Sequence, residues 1–224
     1  MNQLFGEVKA LLAKEFLLEW RQRYALSGLL LYVISTVFIC YLSFNLKRGA
    51  INPITWNTLF WIILLFTSVN GIAKGFTQER AGRFYFYYTL ASPESIIISK
   101  IIYHAVLMLG VSLTALLVYV FVMGNPVQDW ELFLATVLLG AIGFSTTLTM
   151  ISAIASKAQN SGTLMAVLGF PVILPMLLML MKVSKNALDG LARSASTEEL
   201  LTILAINLIV VSISYLLFPY LWRS

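Results

Sequence analysis

The chain has 224 residues, of which 59% are hydrophobic and 11% are charged, and its formal net charge is +5. This composition excludes an ordinary soluble protein, because so apolar a chain would keep too little polar surface to stay dissolved. The positive charge alone would fit a nucleic-acid partner, but its distribution along the chain indicates membrane topology, so no nucleic acid is expected.

All Lys, Arg, Asp and Glu residues lie outside six windows of 22 to 28 residues. A helix needs about 20 mostly apolar residues to cross the hydrocarbon core of a bilayer, and a charge near the bilayer centre costs about 3 kcal/mol or more. The windows therefore predict an all-α, polytopic membrane protein with six transmembrane helices. Residues 1–224 are expected to form a single transmembrane domain, since the gaps are too short to fold separately. The predicted spans are Tyr24–Leu46, Gly49–Ala73, Ile101–Gln128, Leu132–Ser156, Ala158–Met181 and Leu201–Trp222.

Residues 1–23, ahead of the first predicted span, have an amphipathic pattern. Apolar side chains recur at helical spacing, three charged residues lie off this stripe, and Glu15 lies on it. The pattern predicts a helix in the membrane interface on the cytoplasmic side. The first apolar window follows several charged residues and is too long for a signal sequence, so no cleavable signal peptide is expected. The stripe consists of Leu4, Val8, Leu11, Leu12 and Phe16, and the charged residues off it are Glu7, Lys9 and Lys14.

The basic residues outside the spans divide unevenly between the two sides of the membrane. Six spans place both termini on one side, and ten Lys or Arg residues fall on that side against five on the other. Since loops rich in Lys and Arg stay in the cytoplasm, both termini are predicted to be cytoplasmic.

The longest connection on the predicted cytoplasmic side, residues 74–100, is the most unusual stretch. It contains a charged part with a glycine, five consecutive aromatic residues at 84–88, and the pair Ser92-Pro93. Ser92 is predicted to cap a helix that has Pro93 at its first position. Charges followed by aromatic residues fit a surface that meets both a protein and the membrane. An interfacial loop anchored by its aromatic residues remains the alternative.

The sequence contains no phosphate-binding loop, no H-E-x-x-H and no G-x-S-x-G motif, so we assign no catalytic, cofactor-binding or metal-binding residues. His104 is the single histidine. A polar residue near the interface is the simpler interpretation of it, and haem ligation or proton relay is the alternative. Cys40 is the single cysteine; it cannot form an internal disulfide, and a buried, inert thiol is expected.

Residue types in the fourth and fifth predicted spans allow two interpretations each. Small and hydroxyl-bearing residues in the fourth span favour close helix packing, with a substrate path as the alternative. Methionines in the fifth span favour flexible packing, with thioether ligation as the alternative. The residues concerned are Gly140, Gly143, Ser145, Thr147 and Thr149 in the fourth span, and Met165, Met176, Met179 and Met181 in the fifth.

Two prolines four residues apart, Pro171 and Pro175, lie within the fifth predicted span. Each removes a backbone donor, so a kinked or broken helix is expected there. Transporters use such breaks at moving or binding sites, and a static kink is the alternative.

Two stretches together with the six spans carry a family resemblance. They are Phe76–Glu94, in which an acidic residue and a glycine precede Ser92-Pro93, and Gly169–Pro175 with its two prolines. In layout, nearly the whole chain resembles the CcmB family, the membrane subunit of an ABC-transporter-like complex for cytochrome c maturation, also called haem exporter protein B. Many members have a Leu-Glu pair soon after the glycine, whereas Arg83-Phe84-Tyr85 follows Gly82 here.

The resemblance implies a non-catalytic permease related to the ABC-2 type in a bacterial inner membrane. A separate cytoplasmic ATPase would use the ATP, and other cytochrome c maturation membrane proteins would handle haem, so that no cofactor binds this chain directly. ATP hydrolysis would drive haem export or release of a haem-loaded chaperone. Because the chain has no phosphate loop, it must receive that energy through a contact. The residues predicted to couple to the ATPase are Phe76, Glu79, Arg80, Gly82, Arg83, Ser92 and Pro93.

Two other functions remain open. One is a generic ABC-2-type permease that exports a lipid or polysaccharide. The other is a membrane scaffold without moving parts, which would bind partners and show no ATP-dependent change.

Overall fold

A computed structural model describes residues 2–22, 24–45, 51–72, 91–157 and 161–223. These residues form seven α-helices and a short 3-10 helix, and six helical segments are long and apolar enough to cross a membrane. The prediction of an all-α protein with six spans is confirmed. The helices are α1 (Asn2–Gln22), α2 (Tyr24–Asn45), α3 (Pro53–Ile72), α4 (Pro93–Met123), α5 (Trp130–Ala155), α6 (Ser161–Leu188) and α7 (Thr197–Arg223), with the 3-10 helix Arg193–Ser196 before α7.

The observed helix ends differ most from the predicted windows in α4 and α6. Helix α4 begins at Pro93, eight residues before the predicted span, and ends at Met123, where Gly124 takes a positive φ of 83°. Helix α6 continues past Lys182 to Leu188. The windows were bounded by charges, but a helix that extends beyond the hydrocarbon core can carry charges at its ends.

Helix α5 lies at the centre of the bundle. It packs against α3, α4, α6 and α7, while α2 packs on α3 and α4, and α1 packs on α4. Most of the side chains along α5 are buried. The central position explains why this span is so rich in small residues, since a helix surrounded on all sides needs close backbone approach.

Two glycines of α5 show how close this approach is. A Cβ atom at Gly140 would lie 2.7 Å from the Trp61 ring, and one at Gly143 would lie 2.7 Å from Oδ1 of Asn207. The Thr149 hydroxyl donates to the carbonyl of Ser145 within α5 itself. These contacts support the packing interpretation of the fourth span.

The two ends of the bundle are defined by their helix ends. The termini end carries the start of α4 and the ends of α5 and α7, and the opposite end carries the starts of α3, α5 and α7 and the ends of α4 and α6. At the opposite end, Nε1 of Trp56 in α3 donates to the Gly124 carbonyl at 3.1 Å, and the Tyr119 hydroxyl of α4 donates to the Trp56 carbonyl at 2.9 Å. Helices α3 and α4 are therefore joined there in both directions.

A second set of bonds at the opposite end joins α3 to α6. Asn57 Nδ2 donates to the Met181 carbonyl at 2.8 Å, and the Ser184 hydroxyl lies 2.8 Å from Asn57 Oδ1. Nε1 of Trp61 donates to the same Ser184 hydroxyl at 2.7 Å. Asn57, Trp61 and Ser184 are all buried, so these polar groups satisfy one another inside the bundle.

Candidate functional site

Only part of the predicted ATPase-coupling segment lies among the described residues. Ser92 and Pro93 are described, whereas Phe76, Glu79, Arg80, Gly82 and Arg83 lie outside the described residues. The structure also changes the end of the segment, because residues 93–100 form the first two turns of α4 and are not part of a connection. Within the described residues, the candidate site therefore consists of the start of α4 and of helix α1, which packs on it.

Ser92 is the N-cap residue of α4 and Pro93 follows at the first helical position, as predicted. The Ser92 side chain makes no capping bond to its own helix. Instead, Ser92 donates to Oε2 of Glu7 in α1, from its backbone N–H at 2.9 Å and from its hydroxyl at 2.7 Å. The Ser95 hydroxyl lies 2.7 Å from the same oxygen. A carboxylate of another helix thus lies at the positive N-terminal end of α4.

Three donors and the helix end stabilise the ionised form of Glu7. The backbone N–H of Ser92, and then the hydroxyls of Ser92 and Ser95, lower the pKa of Glu7 below its usual value. Glu7 is therefore charged at neutral pH, and its charge strengthens the hydrogen bonds that join α1 to the start of α4.

Two further glutamates of α1 also point at α4. Oε1 of Glu15 lies 3.5 Å from the Nζ of Lys100, whose side chain is only 6% exposed. Although burial raises the pKa of Glu15, the ammonium groups of Lys100 and Lys14 outweigh that effect, and the pKa lies below its usual value. The Tyr103 hydroxyl donates to Oε2 of Glu19 at 3.1 Å. Glu7, Glu15 and Glu19 thus form an acidic face of α1, and this face is docked on the start of α4.

The apolar stripe of α1 packs on the protein as well. Val8 is 8% exposed, and Leu11 packs on a cluster that includes Ile97 of α4 and Trp222 of α7. The helix itself is confirmed, but the stripe does not face the membrane interface as the sequence interpretation implied. It faces the bundle together with the glutamates, which explains why Glu15 interrupts it.

His104 is buried within the bundle. It is 3% exposed, and its Nδ1 lies 2.8 Å from the Thr149 hydroxyl of the central helix. A position near the membrane interface stays a prediction for this residue, but its side chain contacts another helix and does not face the headgroups, because α1 and α5 pack on α4. Its hydrogen bond joins α4 to α5 within the bundle, which is a packing role that one histidine can fulfil alone.

Helix α6 runs without interruption through both of its prolines, from Ser161 to Leu188. A broken helix is therefore not what the structure shows, and a kink at Pro171 and Pro175 stays a prediction. Both prolines are exposed on the outside of the bundle, while Ile173 and Met176 between and beside them are buried. The prolines therefore lie away from the central helix.

The remaining candidates have ordinary surroundings. Met165 and Met176 are buried in the main apolar core, Met179 and Met181 pack against it, and Cys40 is only half-buried, not fully buried as expected. In the described ranges, no group of three His, Cys, Asp or Glu side chains could hold a metal ion. The methionine contacts support the packing interpretation.

Sequence reasoning missed the acidic face of α1. Its three glutamates are spaced by eight and four residues, so a helix places them on one side. Glu15 lies on the apolar stripe itself, and its position there was the available signal. An acid in an apolar stripe indicates a polar partner on a neighbouring helix, but the sequence does not name the partner.

Comparison with known proteins gives a family for the chain. No curated protein and no solved structure matches it significantly. A family model described as CcmB protein matches residues 7–218. The match covers the acidic face of α1, five spans in full, most of the sixth, and both prolines of α6. The chain therefore belongs to the CcmB family, whose members are the membrane permease subunits of the haem-exporter ABC system for cytochrome c maturation.

Proposed function

We propose that this chain couples ATP hydrolysis by a separate cytoplasmic ATPase to haem export or to release of a haem-loaded chaperone during cytochrome c maturation. The single observation that carries the proposal is the family match over residues 7–218. The chain is a multi-pass membrane protein with no phosphate loop of its own. It must therefore receive the energy of ATP through a protein contact.

The contact is proposed to lie at the termini end. The segment that holds Phe76, Glu79, Arg80, Gly82 and Arg83 precedes α4 in the chain, and the first turn of α4 is held by Glu7. Force applied to that segment would reach α4 at Ser92 and Pro93, and would pass from α4 to the central helix through their long packed interface. The docked α1 supports the start of α4 against which such a force would act.

The proposed orientation places the termini end in the cytoplasm of a bacterium, with the protein in the inner membrane. The ten-to-five distribution of basic residues supports it. Single cysteines introduced near Asn125 and Asn186 should react with a membrane-impermeant reagent from outside, and one near Gln78 should not. Strong external labelling at Gln78 would contradict the orientation.

Haem is proposed to be handled by partner proteins and not to be bound by this chain. The single histidine is bonded to Thr149 inside the bundle, and the methionines of α6 pack in or against the core. Purified protein should therefore show no Soret band from a bound haem after incubation with haem and removal of the excess. A stoichiometric, ligand-type spectrum would contradict this part of the proposal.

The coupling assignment is tested by exchanging two charges. Glu79→Lys with Arg83→Glu should leave membrane insertion intact, since neither residue lies in a span predicted from the sequence. It should weaken co-purification with the ATPase in mild detergent and abolish cytochrome c maturation, because mismatched charges at an interface are costly. The matched control is Lys185→Asp with Asp189→Lys, which swaps an exposed pair at the opposite end and should change neither.

The outcomes separate the rival functions. Normal ATPase binding and normal maturation in the exchanged variant would overturn the coupling assignment. A wild-type chain that binds an ATPase but is dispensable for cytochrome c would indicate a generic exporter. A chain that binds its partners without any ATP-dependent change in labelling would indicate a scaffold.

A further inference from the structure

The charges of α1 are sorted between its two sides. All three glutamates that could repel an anionic surface are engaged with α4, at Ser92, Lys100 and Tyr103. Lys9 and Arg21, by contrast, are exposed. The surface that α1 presents outward is therefore positive, although the helix as a whole contains three acidic and three basic residues.

The outward surface also carries large apolar side chains. Phe5 is 73% exposed and Trp20 is 74% exposed, whereas the Phe16 ring packs on Tyr103 of α4 with ring centroids 5.5 Å apart. Phe5, Lys9 and Trp20 follow one another at intervals of four and eleven residues, so they lie along one side of the helix. We call these three residues with Leu17 and Arg21 the outward face of α1.

Helix lengths place the outward face at the boundary of the membrane. Helix α4 has 31 residues, about 46 Å of helix at 1.5 Å per residue, whereas the hydrocarbon core is about 30 Å thick. The charged residues of α4, Glu94 and Lys100, lie in its first eight residues, and residues 101–123 are uncharged. The surplus of about ten residues is therefore assigned to the start of α4, where α1 docks. Helix α1 ends at Gln22 and the first span begins at Tyr24, so its C-terminal turns cannot leave the membrane surface.

We propose that the outward face of α1 binds anionic phospholipid headgroups, with its aromatic rings inserted among the lipid chains and Lys9 and Arg21 against the phosphates. Basic helices with aromatic residues on the same side bind in this way to anionic bilayers. The docking of the glutamates on α4 makes the lipid contact selective, because it removes from the lipid side the charges that would repel an anionic headgroup.

A lipid fits this face better than a soluble protein does. Trp20 is the most exposed large apolar side chain of α1 and lies two residues before the last residue of the helix, directly ahead of a span. Tryptophan at such a position is typical of the membrane interface. The proposal needs only the placement of α1 beside the spans, and it is independent of the partner ATPase and of haem.

The test measures which lipid is close to α1 in the full-length protein. In a Cys40→Ala background, Ala13→Cys introduces a label site on an exposed small residue beside the outward face. The protein carries a fluorophore there and is reconstituted in phosphatidylcholine vesicles with trace nitroxide-labelled phosphatidylglycerol or phosphatidylcholine. We expect stronger quenching by the phosphatidylglycerol probe, and a smaller difference at high salt.

Charge variants decide whether the outward face is responsible. Lys9→Gln and Arg21→Gln should each reduce the preference for the anionic probe by about fivefold. Lys9→Arg with Arg21→Lys should keep it, and Lys185→Gln at the opposite end should not change it. Each variant is compared at equal protein recovery after size-exclusion chromatography, so that misfolded protein is not scored.

Three results would overturn the proposal. The first is equal quenching by both probes in the wild-type protein, and the second is an anionic preference that survives both glutamine substitutions together. The third is loss of quenching by both probes when the purified ATPase subunit is added, which would assign the outward face to the protein partner. None of these outcomes depends on cytochrome c maturation, so the inference and the proposed function fail separately.

Discussion

The two ends of the helix bundle are held together in different ways. At the opposite end, buried hydrogen bonds join the spans directly to one another, as between Asn57 and Met181. At the termini end, the glutamates of α1 bind from outside onto the start of α4, as Glu7 does at Ser92. The contacts of the opposite end thus lie within the bundle of spans, whereas part of the termini end is held by a separate helix, α1. We call the contacts of the α1 glutamates with α4 the clamp. These charged contacts can be loosened without unpacking the spans.

This difference fits the proposed coupling. A permease driven by a cytoplasmic ATPase must yield where the force is applied and remain joined where it is not. In the proposed orientation, the clamped end is the cytoplasmic one. If the two ends differ in stability as their contacts suggest, substitutions at the two ends should have different effects.

The largest effect is expected from overfilling the packed centre next to the opposite-end bonds. Gly140→Leu places a side chain where even a Cβ would lie 2.7 Å from the Trp61 ring. That ring is held by its hydrogen bond to Ser184, so it cannot move aside cheaply. We expect a loss of about 1–3 kcal/mol or more in stability, measured as a lower Tm in detergent. Gly110→Ala, which meets nothing within 4 Å, is the control and should not lower Tm; an unchanged Tm for Gly140→Leu would contradict the packing described.

A smaller, local effect is expected from Glu7→Gln. The amide keeps the shape but loses the charge that accepts three hydrogen bonds at the start of α4, at a cost of about 1 kcal/mol. We expect faster hydrogen exchange in α1 and in the first turn of α4, with little change around Asn57 and Ser184. Lys9→Gln, on the outward face, serves as the matched control. Equal protection of α1 in wild type and Glu7→Gln would show that the carboxylate does not hold the helix.

The clamp should also depend on pH. Ser92 and Ser95 lower the pKa of Glu7 in the folded protein. The Glu7 carboxylate therefore contributes fully to stability when the pH is above the pKa that it has in the unfolded chain, near 4.5. This contribution is lost as the pH falls through the lower pKa of the folded protein. Glu15 shifts in the same direction. A fluorophore at residue 13 should therefore report undocking of α1 below that range, with a weaker pH dependence in Glu7→Gln; an undocking midpoint that Glu7→Gln does not alter would assign the transition to other groups.

The smallest effect is expected from Arg193→Gln. Arg193 makes the most conspicuous ion pairs of the opposite end, with Nε at 2.7 Å from Asp129 and Nη1 at 2.7 Å from Glu131. Its side chain is 58% exposed, so water and salt compete with these pairs. We expect a Tm change smaller than that of Gly140→Leu or Glu7→Gln. A loss as large as that of Gly140→Leu would show that the exposed pairs, and not the buried bonds, hold this end.

Some predictions from sequence were correct for a simple physical reason. The cost of placing charge in hydrocarbon is so large that the uncharged windows alone predicted six spans, and the cap signal Ser92-Pro93 placed the start of α4 correctly. Helix ends were less well predicted, because Lys182 and Lys100 lie on helices that extend past the hydrocarbon core. The coupling residues from Phe76 to Arg83 stay a prediction.

The sequence by itself determined the class of protein, the number of spans and the small-residue character of the central helix, because burial in lipid and close packing leave direct marks on composition. It also showed that α1 is a helix, from the period of its apolar residues. Only the tertiary structure decided which side of α1 faces the protein. The same amphipathic pattern fits a membrane surface or a neighbouring helix, and the choice depends on whether a partner such as Ser92 or Lys100 lies within reach of each glutamate. That distance is a property of the folded bundle, since Glu7 and Ser92 are 85 residues apart in the chain.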